Sequence, residues 1–174
     1  MAEKLFISWE EYNSTVEKLA IQIADSGYKP DILIGIMRGG APIIDVLSRV
    51  FKLKCAYLAV ESYSGKGIED QQGQLIFSRE MSSTVKDLGG NLLLCDDLSD
   101  TGTTLNRSID WLKKYPPLKG KIKDIKTAIL WKKKQSTFEA DYCAIKLSDN
   151  PWIVQPFEKY EEIRVEDLKK KHQK

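Results

Sequence analysis

A run of apolar residues that ends in two acids constrains the fold of this chain most. Residues 92–95, Leu-Leu-Leu-Cys, are apolar in succession, and a strand that is apolar on both faces belongs in the middle of a parallel sheet covered by helices. Asp96 and Asp97 follow at once. Because neighbouring carboxylates oppose each other's ionisation, folding gains nothing from this pair. We therefore expect the two acids to bind a ligand.

Helix and strand patterns alternate along the rest of the chain. Apolar residues recur at helical spacing, and Ser8 and Glu11 have the spacing of a capping box at the start of the first helix. This alternation predicts an α/β fold, with a mostly parallel sheet flanked by helices, in a single domain over 1–174. The predicted helices are 9–26, 41–51 and 103–115, and the predicted strands are 31–36, 55–60, 92–95 and 124–131.

Two unusual loops come directly after predicted strands. They are Arg38-Gly39-Gly40 and the stretch 96–104. In a parallel sheet ligands bind beyond the carboxyl ends of the strands, so we expect the two loops to meet at that edge. A third segment, 61–74, has no periodicity and collects Gly, Ser and Gln, which predicts a mobile loop.

Composition narrows the classes of function. With 27 basic and 25 acidic residues the formal net charge is only +2, which argues against nucleic acid as a partner. The three cysteines are far apart and the one histidine lies in the C-terminal tail, a pattern that argues against zinc and disulfides and favours a reducing, cytoplasmic location. No apolar run approaches membrane-spanning length, so we expect no membrane partner.

The stretch 100–104, Asp-Thr-Gly-Thr-Thr, can form a phosphate cradle at the start of a helix. Gly102 permits a tight turn, and unpaired amide groups at a helix start bind anions. Asp100 or the next residue could equally serve as an ordinary helix cap, and the five residues alone leave the two interpretations about even. The cradle would gain hydroxyl donors from Thr101, Thr103 and Thr104.

The acid pair favours the phosphate interpretation. Asp96 and Asp97 beside a cradle would repel a phosphate unless they faced sugar hydroxyls or a magnesium ion. A sugar phosphate satisfies both halves of the site. The chain lacks the Walker pattern and the G-x-G-x-x-G pattern of other nucleotide sites.

The stretch "LLLCDDLSDTGTT" resembles the 5-phosphoribosyl-1-pyrophosphate (PRPP) signature of the type I phosphoribosyltransferases. Within that family the chain is most similar to the 6-oxopurine branch, above all to its short xanthine-guanine type. Four further stretches carry the resemblance in family order. They are "IGIMRGGAPI", "ESYSGKG", "FSRE" and "PWIVQPFE".

The resemblance implies roles on the PRPP side. Asp96 and Asp97 would hold the ribose hydroxyls and, directly or through them, Mg²⁺, while loop 100–104 would hold the 5′-phosphate. Asp100 would act as general base near purine N7. The pyrophosphate would lie against Arg38, Gly39 and Gly40, with Arg79 as a further basic contact.

The resemblance also implies a small hood, which we define as residues 132–160, over the base. Trp152 would stack on the purine and Ile153 would offer backbone groups to its edge. A lysine after the strand would donate to the 6-oxo group, and Lys132 is our choice from the trio Lys132, Lys133 and Lys134. Val154 stands where the xanthine-guanine type carries an acid, which leaves guanine, xanthine and hypoxanthine open.

The activity implied is transfer of the phosphoribosyl group of PRPP to a 6-oxopurine, by a homodimer or homotetramer. One alternative is a phosphoribosyltransferase for another base. A second is a regulatory RNA-binding protein on the same fold, since lysines at 113–134 could cluster. A third is a domain that binds PRPP without catalysis, although Asp100 beside the acid pair makes inactivity hard to motivate.

Overall fold

Strands and helices alternate through residues 3–62 and 75–173, the part of the chain that the computed structural model describes. The helices are α1 (Trp9–Asp25), α2 (Gly40–Phe51), α3 (Thr103–Lys114), α4 (Lys159–Glu162) and α5 (Val165–His172). The strands are β1 (Lys4–Phe6), β2 (Ile32–Met37), β3 (Lys54–Ser62), β4 (Leu75–Phe77), β5 (Ser82–Ser83), β6 (Gly90–Ser99), β7 (Ile122–Lys132), β8 (Tyr142–Lys146) and β9 (Trp152–Val154).

The main sheet has the strand order β4-β3-β2-β6-β7-β8, with β5 also paired to β3. Strands β3, β2, β6, β7 and β8 are parallel, whereas β4 and β5 run antiparallel to β3. The predicted mostly parallel sheet is confirmed. Strand β6 lies inside it, and residues 92–95 are fully buried as the apolar run requires.

Helices cover both faces of this sheet. Leu93 and Cys95 of β6 pack in one core with α1 and α2. Leu92 and Leu94 pack in a second core with α3. Because alternate residues of a strand point to opposite faces, the unbroken apolar run of β6 supplies both cores at once. Its acids then emerge at the carboxyl edge.

Local sequence signals place the helices closely. Ser8 and Glu11 form the predicted capping box, with the Glu11 amide donating to Ser8 Oγ at 3.1 Å and the Ser8 amide to Glu11 Oε2 at 2.8 Å. The first predicted helix therefore begins where α1 does and ends one residue after it. Among the described residues no helix is long and apolar enough to cross a bilayer.

The first two residues of the predicted loop 61–74 belong to a strand instead. Strand β3 continues to Ser62, and β4 begins at Leu75 and pairs with it antiparallel. The remaining positions of that prediction, 63–74, lie outside the described residues. Apolar or β-branched residues stand on both sides of the polar segment. Their strands pair with each other and so extend the sheet beyond the predicted strand 55–60.

Part of the hood is held by a second, two-stranded sheet. Strands β1 and β9 are parallel and pair residue by residue. The Trp152 amide donates to the Glu3 carbonyl at 2.7 Å, and the Ile7 amide to the Val154 carbonyl at 3.0 Å. The N-terminal segment therefore fixes the "PWIVQPFE" segment beside the carboxyl edge of the main sheet.

Candidate active site

The acid pair lies at the carboxyl end of β6. Asp96 is 7% exposed, and its Oδ1 accepts a 3.0 Å hydrogen bond from the Asp97 amide. Burial, and then the neighbouring Asp97 carboxylate, hold the pKa of Asp96 well above its usual range. Burial likewise raises the pKa of Asp97. The pair is costly to ionise in the ligand-free protein, which favours an external partner.

The side chain of Asp97 lies where three segments meet. Its Oδ2 accepts a 3.0 Å hydrogen bond from Nε2 of Gln155 in the hood. On the other side, a Cβ added to Gly39 would lie 2.3 Å from Asp97 Oδ1. A Cβ on Gly40 would lie 2.4 Å from the Cys95 carbonyl. Both glycines are therefore required for the close approach of this loop to β6.

Arg38 projects from the same loop at the site's rim. Its peptide bond with Met37 is cis, and its Nη2 donates to Glu161 Oε1 of α4 at 2.5 Å. Both side chains are exposed. The arginine is therefore accessible to an anion, and an exposed carboxylate of the C-terminal segment pairs with it.

The predicted loop 96–104 is shorter in the structure, because β6 continues through the acid pair to Ser99 and α3 begins at Thr103. Gly102, in the turn between them, has φ +91° and is itself the N-cap of α3, so the helix has no N-cap side chain. The alternative of Asp100 or Thr101 as the helix N-cap is therefore wrong. Thr101 Oγ1 lies 3.0 Å from Thr103 Oγ1 and accepts from the Thr103 amide at 3.3 Å. The start of α3 and the side chains of Thr101 and Thr104 thus line one small cavity, where an anion could meet amide and hydroxyl donors.

Two adjoining cavities connect these parts. One, of about 250 Å³, is lined by the acid pair and residues 98–102, 104 and 105. The other, of about 820 Å³, shares Asp97 and adds Arg38, Gly39 and Trp152. Together they have the size and the mixed polar and apolar lining of a small-molecule site.

Asp100 is held by two groups from the segment after β7. Lys133 Nζ lies 3.0 Å from its Oδ1, and Gln135 Nε2 donates to the same oxygen at 2.5 Å. Lys133 Nζ also lies 6.0 Å from the centroid of the Trp152 ring. One cation therefore stands between the carboxylate and the aromatic face.

The three consecutive lysines at the end of β7 differ in their contacts. Lys132 does not face Asp100, because it pairs with Glu139, and Lys134 is exposed. The structure therefore places Lys133 rather than Lys132 beside Asp100, and which of the three lysines contacts a base stays a prediction. The reason is that β7 ends at Lys132, so the chain turns there and the next residue points to the site.

Of the remaining predicted site residues, two lie near the acid pair and one does not. Trp152 is 58% exposed with its ring toward Lys133, and the side chain of Ile153 is buried while its backbone pairs with β1. Arg79 is exposed directly after β4, three strands away from β6 in the sheet. The structure thus brings Trp152 and Ile153 to the acid pair's edge and leaves the backbone of Arg79 distant from it.

Comparison with known proteins gives the family. A model described as the phosphoribosyl transferase domain matches residues 8–162. This chain belongs to that family. A hypoxanthine-guanine phosphoribosyltransferase of Aquifex aeolicus is 29% identical over 154 residues, covering 84% of this chain and 81% of the relative.

Solved structures agree with this membership of the phosphoribosyl transferase domain family. A purine phosphoribosyltransferase from Pyrococcus horikoshii is 28% identical with a TM-score of 0.72, over 94% of this chain and 97% of the other. A xanthine-guanine-hypoxanthine phosphoribosyltransferase of Helicobacter pylori has a TM-score of 0.71 at 24% identity, over 97% and 99%. The latter likeness shows the shared fold.

Sequence reasoning missed three residues of this phosphoribosyltransferase-domain site. Gln155 stood inside the quoted "PWIVQPFE" without a role, although a lone amide between apolar and proline neighbours was a signal. Gln135 and Glu161 carried no such signal, because each reaches the site only through tertiary contacts with Asp100 and Arg38.

Proposed function

We propose that this protein transfers the 5-phosphoribosyl group of PRPP to a 6-oxopurine, giving a nucleoside 5′-monophosphate and pyrophosphate. The observation that carries the proposal is Lys133, which stands between Asp100 and the exposed ring of Trp152. A cation, a carboxylate and an aromatic face together suit a purine that carries an oxygen at position 6. The names of the Aquifex and Pyrococcus relatives agree with this class.

The PRPP half of the proposal rests on the two loops and the acid pair. Amides at the start of α3 and the hydroxyls of Thr101, Thr103 and Thr104 would hold the 5′-phosphate. Asp96 and Asp97 would accept the ribose hydroxyls. The pyrophosphate would lie against Gly39 and Gly40 beside Arg38, whose guanidinium would neutralise it.

The base half explains the preference for an oxygen at position 6. Lys133 donates hydrogen bonds only, so it complements a 6-oxo group and opposes the 6-amino group of adenine. Trp152 presents an exposed face on which the ring can stack. The backbone of Ile153 closes the edge of the base. Guanine, xanthine and hypoxanthine all satisfy these contacts.

The proposed reaction requires the protein to accept one proton. A bond forms between purine N9 and C1′ while the bond from C1′ to the pyrophosphate oxygen breaks. The proton on purine N7 then passes to the carboxylate of Asp100, which acts as general base. Lys133 and Gln135 hold that carboxylate at the mouth of the cradle.

The donor set is compatible with magnesium. Among residues 3–62 and 75–173 no group of three acidic, histidine or cysteine side chains could enclose a metal. Two buried carboxylates whose pKa is raised by burial would nevertheless gain from a nearby cation. Mg²⁺ is commonly held by one or two carboxylates and by substrate phosphates, so Asp96 and Asp97 would hold it with PRPP. When bound, it would neutralise charge on the leaving pyrophosphate.

The experiment offers guanine, hypoxanthine, xanthine and adenine separately to the purified protein with PRPP and magnesium, and follows each base spectrophotometrically. We expect one or more 6-oxopurines to be converted and adenine to remain. Conversion of adenine, or of none of the four bases, would contradict the proposal. A repeat with EDTA tests the magnesium requirement, which predicts loss of turnover and its recovery on adding Mg²⁺.

Three further expectations stay predictions. They are the single domain over 1–174, the homodimer or homotetramer and the cytoplasmic location. A second function is not proposed, because the acid pair, the cradle and the base-side groups all suit the same transfer reaction.

A further inference from the structure

Gln155 is a buried amide that contacts the acid pair. It is 3% exposed, and its Nε2 donates to Asp97 Oδ2 at 3.0 Å. Its Oε1 is buried and has no hydrogen-bond partner among the residues that the structure describes. The bond to Asp97 is therefore the side-chain hydrogen bond that the described structure gives this residue.

Folding alone does not favour an amide at this position. A buried acceptor without a partner loses its hydration and gains nothing in return, whereas an apolar side chain of similar shape would carry no such cost. The hydrogen bond to a carboxylate offsets this cost, because hydrogen bonds to charged groups are stronger than those between neutral groups. The contact that favours an amide at position 155 is therefore its hydrogen bond to Asp97.

The backbone presents this side chain in a fixed position. The Ile7 amide bonds the carbonyl of Val154, and the Glu158 amide bonds the carbonyl of Gln155 at 3.1 Å. Phe157 packs edge-on against Tyr12 of α1 with ring centroids 5.9 Å apart. Anchors before and after Gln155 therefore restrict the directions in which its amide can point.

Asp97 is enclosed by two neighbours. Gln155 contacts Oδ2, while the backbone of Gly39 lies close to Oδ1. The Gln155 hydrogen bond also favours the ionised form and opposes the rise that burial imposes on the pKa of Asp97. A carboxylate held in this way keeps one orientation before the ligand arrives.

We propose that Gln155 is a positioning residue for ribose recognition, whose carboxamide orients Asp97 to accept a ribose hydroxyl. The inference rests on the proposed function, since it takes Asp97 as a hydroxyl-binding group. It separates Gln155 from Trp152 and Ile153, its neighbours along the hood, which serve the base. Loss of the amide then weakens the selection of the sugar and leaves the selection of the base intact.

The test compares ligands that differ by one hydroxyl. Wild type, Gln155→Met and Asp97→Asn are titrated by calorimetry with inosine 5′-monophosphate and with its 2′-deoxy and 3′-deoxy analogues. Methionine fills a similar volume without the amide. Gln22→Met, at an exposed position of α1, controls for the substitution itself. Gln155→Asn, whose amide is too short to reach, is the second variant where Gln155→Met does not fold.

We expect wild type to bind the ribonucleotide more tightly than at least one deoxy analogue. In Gln155→Met this preference falls by about tenfold, the order of a hydrogen bond to a charged group. Affinity for that analogue changes less than twofold, because the hydroxyl that Asp97 holds is already gone. Gln22→Met keeps the wild-type preference.

Two results overturn the inference and differ in what else they overturn. A Gln155 variant that weakens ribonucleotide and deoxy analogues equally has a structural or base-binding role, and the inference alone falls if Asp97→Asn still abolishes the preference. If wild type itself shows no preference between the sugars, the assignment of the acid pair in the proposed function falls with it.

Discussion

Lys133 Nζ lies 3.0 Å from Asp100 Oδ1 and so joins the segment after β7 to the loop after β6. Lys133 is 7% exposed, and a buried cation needs such a partner. In the proposed reaction the same ammonium group would donate to the exocyclic 6-oxo group of the purine without leaving the carboxylate. The proposed base-recognition group and the proposed general base are therefore neighbours.

Single substitutions distinguish the role of Lys133 from those of Lys132 and Lys134. We expect Lys133→Met to lower kcat/KM for a 6-oxopurine about 10- to 100-fold, the range of a charge-assisted hydrogen bond. Lys134→Met, at the exposed next position, is the matched control and should change kcat/KM less than twofold. A larger loss in Lys132→Met than in Lys133→Met would restore Lys132 as the base-binding residue.

Gly39→Ala tests the close approach of the loop to Asp97. The new Cβ would displace the Asp97 carboxylate, which lies 2.3 Å from the ideal Cβ position. We expect the Kd for PRPP, measured by calorimetry, to rise about tenfold or more, since a charged contact is lost.

Gly120→Ala is the control for Gly39→Ala. Gly120 has φ +72° and open space around its Cβ position, so this variant loses about 1–2 kcal/mol of stability to backbone strain. Its Kd for PRPP should stay unchanged. Wild-type PRPP affinity in Gly39→Ala would contradict the proposed placement of the ligand.

An element could be predicted from the sequence where neighbouring residues alone determine it. Helix α1 follows from the capping box and apolar spacing, and β6 from its four-residue apolar run, because neighbouring residues alone carry both signals. Strands β1 and β9 have three residues each and exist only through their mutual pairing. No local pattern could have predicted that small sheet.

The site divides in the same way. The placement of the acid pair and of 100–104 at one edge of the sheet could be predicted, because one short continuous stretch of sequence carries both. The choice between Lys132 and Lys133 could not, since it depends on where β7 ends and on Glu139, a partner of Lys132 seven residues later. Glu161 reaches Arg38 from 123 residues away.

Glu161→Gln tests whether Glu161 of the C-terminal segment competes with pyrophosphate for Arg38. Both partners of the ion pair with Arg38 are exposed, so the pair is worth about 0.2–1 kcal/mol. Freeing Arg38 should strengthen inhibition by added pyrophosphate by up to about fivefold. The exposed neighbour Glu162 gives the control, Glu162→Gln. Unchanged inhibition in Glu161→Gln would mean that Arg38 is not engaged by pyrophosphate.

We expect the buried carboxylate of Asp96 to lower the free energy of unfolding when neither Mg²⁺ nor PRPP is added. Because burial raises its pKa, the folded state binds more protons than the unfolded state between the two pKa values, so this group's contribution to unfolding free energy falls as pH rises. We expect Asp96→Asn, without Mg²⁺ or PRPP, to unfold at higher urea concentration than wild type at pH 7. The difference should shrink as the pH falls toward about 4, the usual carboxyl range. A less stable variant at pH 7 would show that the carboxylate is not strained.

The most direct test of the proposed transfer is product formation by wild type and Asp100→Asn side by side. Purified protein is given hypoxanthine, PRPP and Mg²⁺, and the nucleoside 5′-monophosphate and pyrophosphate are quantified by mass spectrometry. We predict equal amounts of both products from wild type and a rate at least about 100-fold lower from Asp100→Asn, the order of a lost general base. No nucleotide from wild type, or equal rates from the two proteins, would contradict the proposed reaction and the role of Asp100.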